Sequence, residues 1–151
     1  MPFGEKTDAD GAPIDFDEVY DYLIKPAAEA LDLQVIRADR VAKAGWVHAD
    51  MLSHIVNAEA AIVDITTLNA NVFYELGVRH ALRRSVTVLI RKKGTKVPFN
   101  VSGFRVLDYG LSLKEAAEAK KWLTEYLDNG LKAGANDSLV YSVFPNLTVS
   151  M

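Results

Sequence analysis

The stretch "DITTLNANVFYELGVRHAL", residues 64–82, decides the fold because it joins an apolar strand to a helix. Asp64 ends the apolar run "AAIVDI", residues 60–65, which predicts a buried strand. Apolar spacing then predicts a helix over residues 71–84. One side of that helix, which we assign to the sheet, carries Val72, Phe73, Leu76, Gly77 and His80. A strand followed at once by a helix is typical of a parallel α/β sheet.

The same alternation continues on both sides of this stretch. Further strands are predicted at 33–38, 86–91 and 104–109, and further helices at 15–31, 48–58 and 113–131. Asp15 is a plausible N-cap of the first helix, Pro26 should bend it, and Ser112 with Glu115 has capping-box spacing. Residues 5–13 and 92–103 read as loops. The rhythm predicts one α/β domain over residues 1–151, doubly wound, with about five parallel strands and helices on both faces.

The start of the chain departs from this pattern. A doubly wound sheet normally opens with a buried strand, yet "MPFG", residues 1–4, leads straight into a polar loop. Either the first strand is very short or it is absent from this chain. A missing first strand would be a central one, and the unpaired edge that it leaves invites a partner.

Composition excludes several classes of protein. The chain has 151 residues, half of them hydrophobic, and a net charge of −3, which argues against nucleic acid as a partner. It has no cysteine, no run long enough to span a membrane and no signal-peptide pattern, so we expect a soluble, cytoplasmic protein. Dinucleotide-fold, P-loop and nucleophile-elbow glycine motifs are absent. His48 and His54 lack metal-ligand spacing, and neither a metal nor a cofactor is predicted.

Ligands of open parallel sheets bind outside the carboxyl ends of the strands. That edge would gather the first residues, the segment 37–40 and residues 64–71, with Glu75 above them. A structural interpretation of Glu75 is an ion pair with Arg79, one helical turn later. A functional one is an ionised carboxylate nucleophile at the rim. Gly77, costly inside a helix, suggests a close approach of the backbone to a strand or a ligand.

A resemblance favours the functional interpretation. "MPFG", "IDFDEVYDYLIKPAAEAL", "VIRADR", "AEAAIVDITTLNANVFYELGVRHAL" and the ending "DSLVYSVFPNL" together resemble bacterial nucleotide-binding domains related to nucleoside 2-deoxyribosyltransferases. More remotely they resemble TIR domains that cleave NAD, and they look like the deoxyribosyltransferase-like region of MAP3K TRAF-binding-domain proteins. The resemblance spans nearly the whole chain and implies a flavodoxin-like or TIR-like sheet.

The resemblance also implies site residues. In the transferases the glutamate of the "E-L-G" motif attacks the anomeric carbon of the sugar, and the matching residue here is Glu75. A Pro-Phe loop in these families helps to hold the nucleoside, and it matches Pro2, Phe3 and Gly4. The family's acidic residue about six positions before the nucleophile is Asn69 here, which leaves Asp64 as the nearest carboxyl. The family commonly completes its pocket with a neighbouring subunit, so a homo-oligomer, at least a dimer, is expected.

Supporting roles stay open at this stage. Asn69 and Asn71 either cap the helix or bind ribose hydroxyls. Tyr74 either stacks on a base or covers the rim of the site. Arg79 either binds a phosphate or pairs with Glu75. Arg37 is a further candidate for substrate binding. His80 is expected to be a buried imidazole.

Two functions follow from the sequence. The first is cleavage or transfer at the N-glycosidic bond of NAD, a nucleoside or a nucleoside monophosphate, with Glu75 as nucleophile. The alternative is a non-catalytic module of the same fold that senses a nucleotide or binds a protein.

Overall fold

A computed structural model describes residues 1–37, 47–134 and 136–151. The chain opens with an antiparallel hairpin of β1 (Glu5–Thr7) and β2 (Pro13–Asp15). Asp8 closes its turn by accepting the N–H groups of Asp10 at 3.0 Å and Ala12 at 2.8 Å. The predicted loop at 5–13 is therefore wrong at its two ends, because Asx-type turn bonds fold it into a short ribbon.

The first predicted helix is present but changes its winding. It consists of α1 (Phe16–Val19), a π-helical turn (Tyr20–Ile24) and α2 (Lys25–Glu29). Asp15 is its N-cap, as predicted, and accepts the N–H of Asp17 at 2.8 Å. The π-helical turn ends two residues before Pro26. Because proline cannot donate a helical hydrogen bond and clashes with the carbonyl four residues earlier, it accounts for the change of winding.

The later predicted elements are present within a few residues of their predicted positions. They are α3 (Val47–Asn57), β3 (Ala61–Asp64), α4 (Ala70–Leu82), β4 (Thr87–Lys92), β5 (Val106–Tyr109) and α5 (Leu113–Ala133). A short helix that was not predicted, α6 (Leu139–Val143), follows. A 3₁₀ turn at Phe99–Val101 interrupts the predicted loop at 92–103. Ser112 caps α5 through the N–H of Glu115 at 3.3 Å, which confirms the predicted cap. In the described parts of the chain, no helix is long and apolar enough to cross a membrane.

The central sheet is parallel, in the order β3-β4-β5, and helices cover both faces. Val88 and Ile90 of β4 belong to the core cluster that contains Leu123 of α5. Leu89, which points to the opposite face, packs with Leu76 of α4. The α/β class is therefore confirmed at the level of a parallel sheet that helices cover.

The predicted strand at 33–38 does not form over residues 33–37. Residues 38–40, which the sequence placed on the rim with Arg37, lie outside the described residues. Among the described residues the parallel sheet has three strands, and none pairs with β3 on the side away from β4. Within the ranges 1–37, 47–134 and 136–151, no strand pairs with residues 33–37 to make a ladder.

Candidate functional site

A cavity of about 550 Å³ borders the free side of β3. Its walls come from β3, the segment 32–37, the end of α3 and the middle of α4. Glu75, Leu76 and Arg79 of α4 line it, and so do Met1 and Arg37. This volume is within the range of small-molecule sites, roughly 300–1,000 Å³.

Local sequence places Glu75 at this cavity. Asn69 has the extended backbone of an N-cap, and its side chain accepts the N–H of Asn71 at 2.8 Å. α4 therefore begins at Ala70, and Glu75 falls in its second turn. The Glu75 side chain is half-buried, and within residues 1–37, 47–134 and 136–151 it makes no ion pair or side-chain hydrogen bond.

Burial raises the pKa of Glu75 above its ordinary value. The amino terminus of Met1 and the imidazole of His48 act in the opposite direction and lower the pKa, but less strongly. The sequence left two roles open for Arg79, an ion pair with Glu75 and the binding of a phosphate. The ion pair is not found among the described residues, because the Arg79 guanidinium donates to backbone carbonyls instead.

The Arg79 guanidinium is instead a buried structural centre, with a side chain that is fully enclosed. Its Nε donates to the Thr87 hydroxyl, and its two terminal nitrogens donate to six backbone carbonyls, those of Ile55, Val56, Ala58, Glu59, Ser85 and Val86. Burial is the main reason that its pKa falls to about 10. Every N–H already has an acceptor, so none is left for a phosphate.

Asp64 lies at the end of β3 but does not line the cavity. Its Oδ1 accepts the N–H and the hydroxyl of Thr66, at 2.9 and 2.5 Å, and its Oδ2 accepts the hydroxyl of Tyr109 at 2.7 Å. Burial raises the pKa of Asp64, and these donors only partly oppose that effect. Because Tyr109 ends β5, the network ties the carboxyl ends of two strands together. The catalytic role of Asp64 stays a prediction.

The amino-terminal loop reaches the cavity through Met1, whereas Pro2, Phe3 and Gly4 lie beside it. Pro2 is buried and the Phe3 ring is exposed. The Gly4 N–H donates to Asp17 Oδ1 at 3.3 Å. The same oxygen pairs with Arg37 Nη1 at 2.6 Å, so Asp17 joins the loop to Arg37 at the cavity wall.

The remaining candidates divide between the surface and the core. Asn69, Asn71 and Tyr74 are exposed and do not line the cavity, and Asn69 is the predicted cap. His80 is buried as predicted: its ring lies 4.8 Å from that of Phe104 and burial lowers its pKa to about 4. Gly77 is exposed, and a methyl group added at its Cα would meet no described atom within 4 Å, so a close approach to a strand is wrong and a close approach to a ligand stays a prediction.

Sequence reasoning missed two contributors to this site, His48 and His54, whereas Met1, which lines the cavity, belongs to the first residues that the sequence placed at this edge. His48 acts on Glu75, and His54 lines the cavity. Both were considered only for metal-ligand spacing, whereas their position on α3, which packs on α4, is the relevant signal. Among the described residues no group of acidic or histidine side chains is arranged to hold a metal ion.

Comparison of the chain with protein-family models, curated proteins and solved structures finds no match. The family resemblance carried by the segment around Glu75 therefore stays a prediction.

Proposed function

We propose that this chain cleaves the N-glycosidic bond of NAD, a nucleoside or a nucleoside monophosphate, or transfers the glycosyl group, with Glu75 as nucleophile. One observation carries the proposal. A half-buried carboxyl that has no ion-pair partner among the described residues lines a cavity of nucleotide size. Ionisable groups whose pKa is perturbed in a cleft are typical of functional sites.

The reaction takes place in two displacements. A Glu75 oxygen bonds to the anomeric carbon as the C–N bond breaks, and the electron pair of that bond goes to the base nitrogen. Water then bonds to the same carbon, its proton passes to solvent, and the glutamate leaves as a carboxylate. A second nucleobase in place of water would give transfer.

Asp64 bears on which base leaves. A neutral purine benefits from a proton as it departs, whereas nicotinamide in NAD departs from a cationic ring and needs none. Both Asp64 oxygens accept hydrogen bonds, and the side chain does not line the cavity. This arrangement supports a substrate with a cationic leaving group, and NAD is therefore the first to test.

The fold and assembly expected from the sequence belong to the same proposal. It includes a doubly wound sheet of about five strands, an assembly of at least two chains and a cytoplasmic location. Helices on both faces of the sheet and an unpaired side of β3 among the described residues support the first two points.

A second candidate is a module that binds a nucleotide without reacting. It is favoured by the raised pKa of Glu75, because a raised pKa leaves less of the carboxyl in the ionised, nucleophilic form at a given pH.

A chromatographic screen separates the two candidates. Purified protein is incubated with NAD, deoxynucleosides and nucleoside monophosphates, and the release of nicotinamide or free base is measured over a range of protein concentrations. Glu75→Gln should reduce release by at least about a thousandfold while ligand binding, measured by calorimetry, persists. The matched control Glu118→Gln, an exposed position on α5, should react like the parent. Absence of release at every concentration, with binding retained, would favour the binding module.

A further inference from the structure

Three buried side chains form a closed ring of contacts at the carboxyl ends of the strands. The Thr66 hydroxyl lies 2.5 Å from Asp64 Oδ1 and 3.1 Å from the Tyr109 hydroxyl, which in turn lies 2.7 Å from Asp64 Oδ2. The Thr66 hydroxyl also accepts the backbone N–H of Lys92 at 2.9 Å. The ring therefore joins β3 to both β4 and β5. We call it the strand-end clasp and define it by Asp64, Thr66 and Tyr109.

The number of protons in the clasp depends on the charge of Asp64. Each of the three contacts needs one proton between its two oxygens. Thr66 and Tyr109 supply one hydroxyl proton each, and burial raises the pKa of Tyr109, so that its hydroxyl stays protonated. With Asp64 ionised, one contact of the ring has no proton, and two oxygens face each other with lone pairs alone. With Asp64 protonated, the carboxyl donates to one hydroxyl and accepts from the other, and the ring is complete.

The surroundings of the clasp also favour an uncharged carboxyl. All three side chains are at most 2% exposed, and among the described ion pairs none involves Asp64. Lys92 of β4 contacts the clasp through its backbone N–H, whereas its ammonium pairs with Asp8 of the hairpin turn. Burial raises the pKa of Asp64 more than its hydrogen bonds and the amino terminus of Met1 lower it. A buried charge without a paired cation is costly, so the neutral acid is the favoured form.

The clasp holds the start of the connection from β3 to α4. The Thr66 N–H donates to Asp64 Oδ1 at 2.9 Å. Two residues later Leu68 has a φ of 51°, in the left-handed region that is costly for leucine. Such a residue persists only where the structure around it fixes the backbone. The clasp fixes this connection on one side and the Asn69 cap of α4 fixes it on the other.

We propose that Asp64 is uncharged in the folded protein and that its proton closes the strand-end clasp, which loosens the connection to α4 when the carboxyl ionises. Asp64 is then a positioning residue and not a proton donor to a substrate. This inference does not rest on the proposed function, because Asp64 does not line the cavity and no reaction of Glu75 is involved.

Carbon NMR of the Asp64 carboxyl in the unmodified chain measures its charge directly. The variant Asp64→Asn, which lacks this carboxyl, assigns the resonance. As the pH is raised from acid, exposed aspartates such as Asp21 should ionise while Asp64 keeps the chemical shift of the protonated acid. Titration of Asp64 together with the exposed aspartates, or before them, would overturn the proposal.

The stability of Asp64→Asn at different pH values gives a test by sign. The asparagine amide is uncharged and can donate to one hydroxyl and accept from the other, so it imitates the protonated carboxyl. Because the folded-state pKa of Asp64 is raised, its stabilisation is complete below the ordinary value of 3.8 and is lost as the pH rises. The ratio of the unfolding constants, parent to Asp64→Asn, should therefore rise about tenfold per pH unit above that value until the folded carboxyl titrates. A ratio that stays constant or falls would overturn the proposal.

Hydrogen exchange of individual amides tests whether the clasp holds the connection. Tyr109→Phe removes one hydroxyl from the ring, and Tyr141→Phe, at a buried tyrosine of α6 outside the clasp, is the matched control. The amides of Thr66 and Leu68 should exchange at least about tenfold faster in Tyr109→Phe than in Tyr141→Phe. Equal exchange in the two variants would overturn the positioning role of the clasp.

Discussion

Replacing Arg79 by Met is predicted to destabilise the fold strongly, although the residue was first considered as a ligand for phosphate. Its guanidinium lies at the carboxyl end of α3, where the last carbonyls of a helix have no partner within the helix. It donates to Ile55 at 2.7 Å and to Ala58 at 2.7 Å, and it places a positive charge at the negative end of the helix dipole. Arg79 is thus a C-terminal cap supplied by another helix.

The size of the effect follows from which carbonyls lose their donor. The Val86 carbonyl keeps the N–H of Ala61, and the Glu59 carbonyl keeps the N–H of Val86. The carbonyls of Ile55 and Ala58 lose their short bonds to the guanidinium. Each unsatisfied buried acceptor costs about 1–3 kcal/mol, so we expect a loss of about 3–4 kcal/mol in the free energy of unfolding.

Urea denaturation followed by circular dichroism measures this loss. With a slope near 2 kcal/mol per molar urea, the midpoint should fall by roughly 1.5–2 M. Arg83→Met is the matched control, because Arg83 follows the same helix and its charge repels that of Arg79. It should change stability by less than about 0.5 kcal/mol. If Arg79→Met unfolds at the same urea concentration as Arg83→Met, the carbonyl network does not stabilise the domain.

Two other predictions concern glycines and pH. Gly77→Ala should stabilise the protein by about 0.5–1 kcal/mol, since the added methyl group meets no atom within 4 Å. Gly130→Ala in α5 should destabilise it by about 1–3 kcal/mol, since its methyl group would lie 2.7 Å from Val86. A thermal unfolding experiment in which Gly130→Ala is the more stable of the two variants would contradict this packing. For Glu75 the folded-state pKa is raised, so stability falls as pH rises from the ordinary value of 4.5 through the folded value. The urea concentration at the midpoint of unfolding should therefore be higher for Glu75→Gln than for the parent at pH 7, and the two should be equal below about pH 4. Equal midpoints at both pH values would show that the Glu75 carboxyl is not desolvated.

The sequence was most informative where local physical chemistry decides the outcome. The caps Asp15, Asn69 and Ser112 each accept a backbone N–H at the start of a helix, as their residue types predict. Apolar runs marked β3, β4 and β5 to within two residues because strands buried on both faces need uninterrupted hydrophobic sequence.

Other features depended on contacts that no local pattern contains. Helical spacing paired Arg79 with Glu75, but the guanidinium found carbonyls more than 20 residues away along the chain. Gly77 was taken as a glycine of close approach, whereas among the described glycines an added methyl group would meet a neighbouring side chain at Gly110, which lies against Glu115, and at Gly130, which packs on Val86. Spacing reports which residues share a helix face but not which backbone lies opposite.

The two predicted catalytic carboxyls, Asp64 and Glu75, differ in the contacts that offset the cost of their desolvation. Asp64 receives three hydrogen bonds from Thr66 and Tyr109, so the network that surrounds it offsets much of the cost of its burial. Glu75 is also desolvated, yet among the described residues only the distant charges of Met1 and His48 favour its ionised form. A desolvated acid that contributes no structural contact lowers stability, and such local costs are typical of functional positions. The physical argument for function therefore applies to Glu75, and the geometry of Asp64 is that of a residue that joins strand ends.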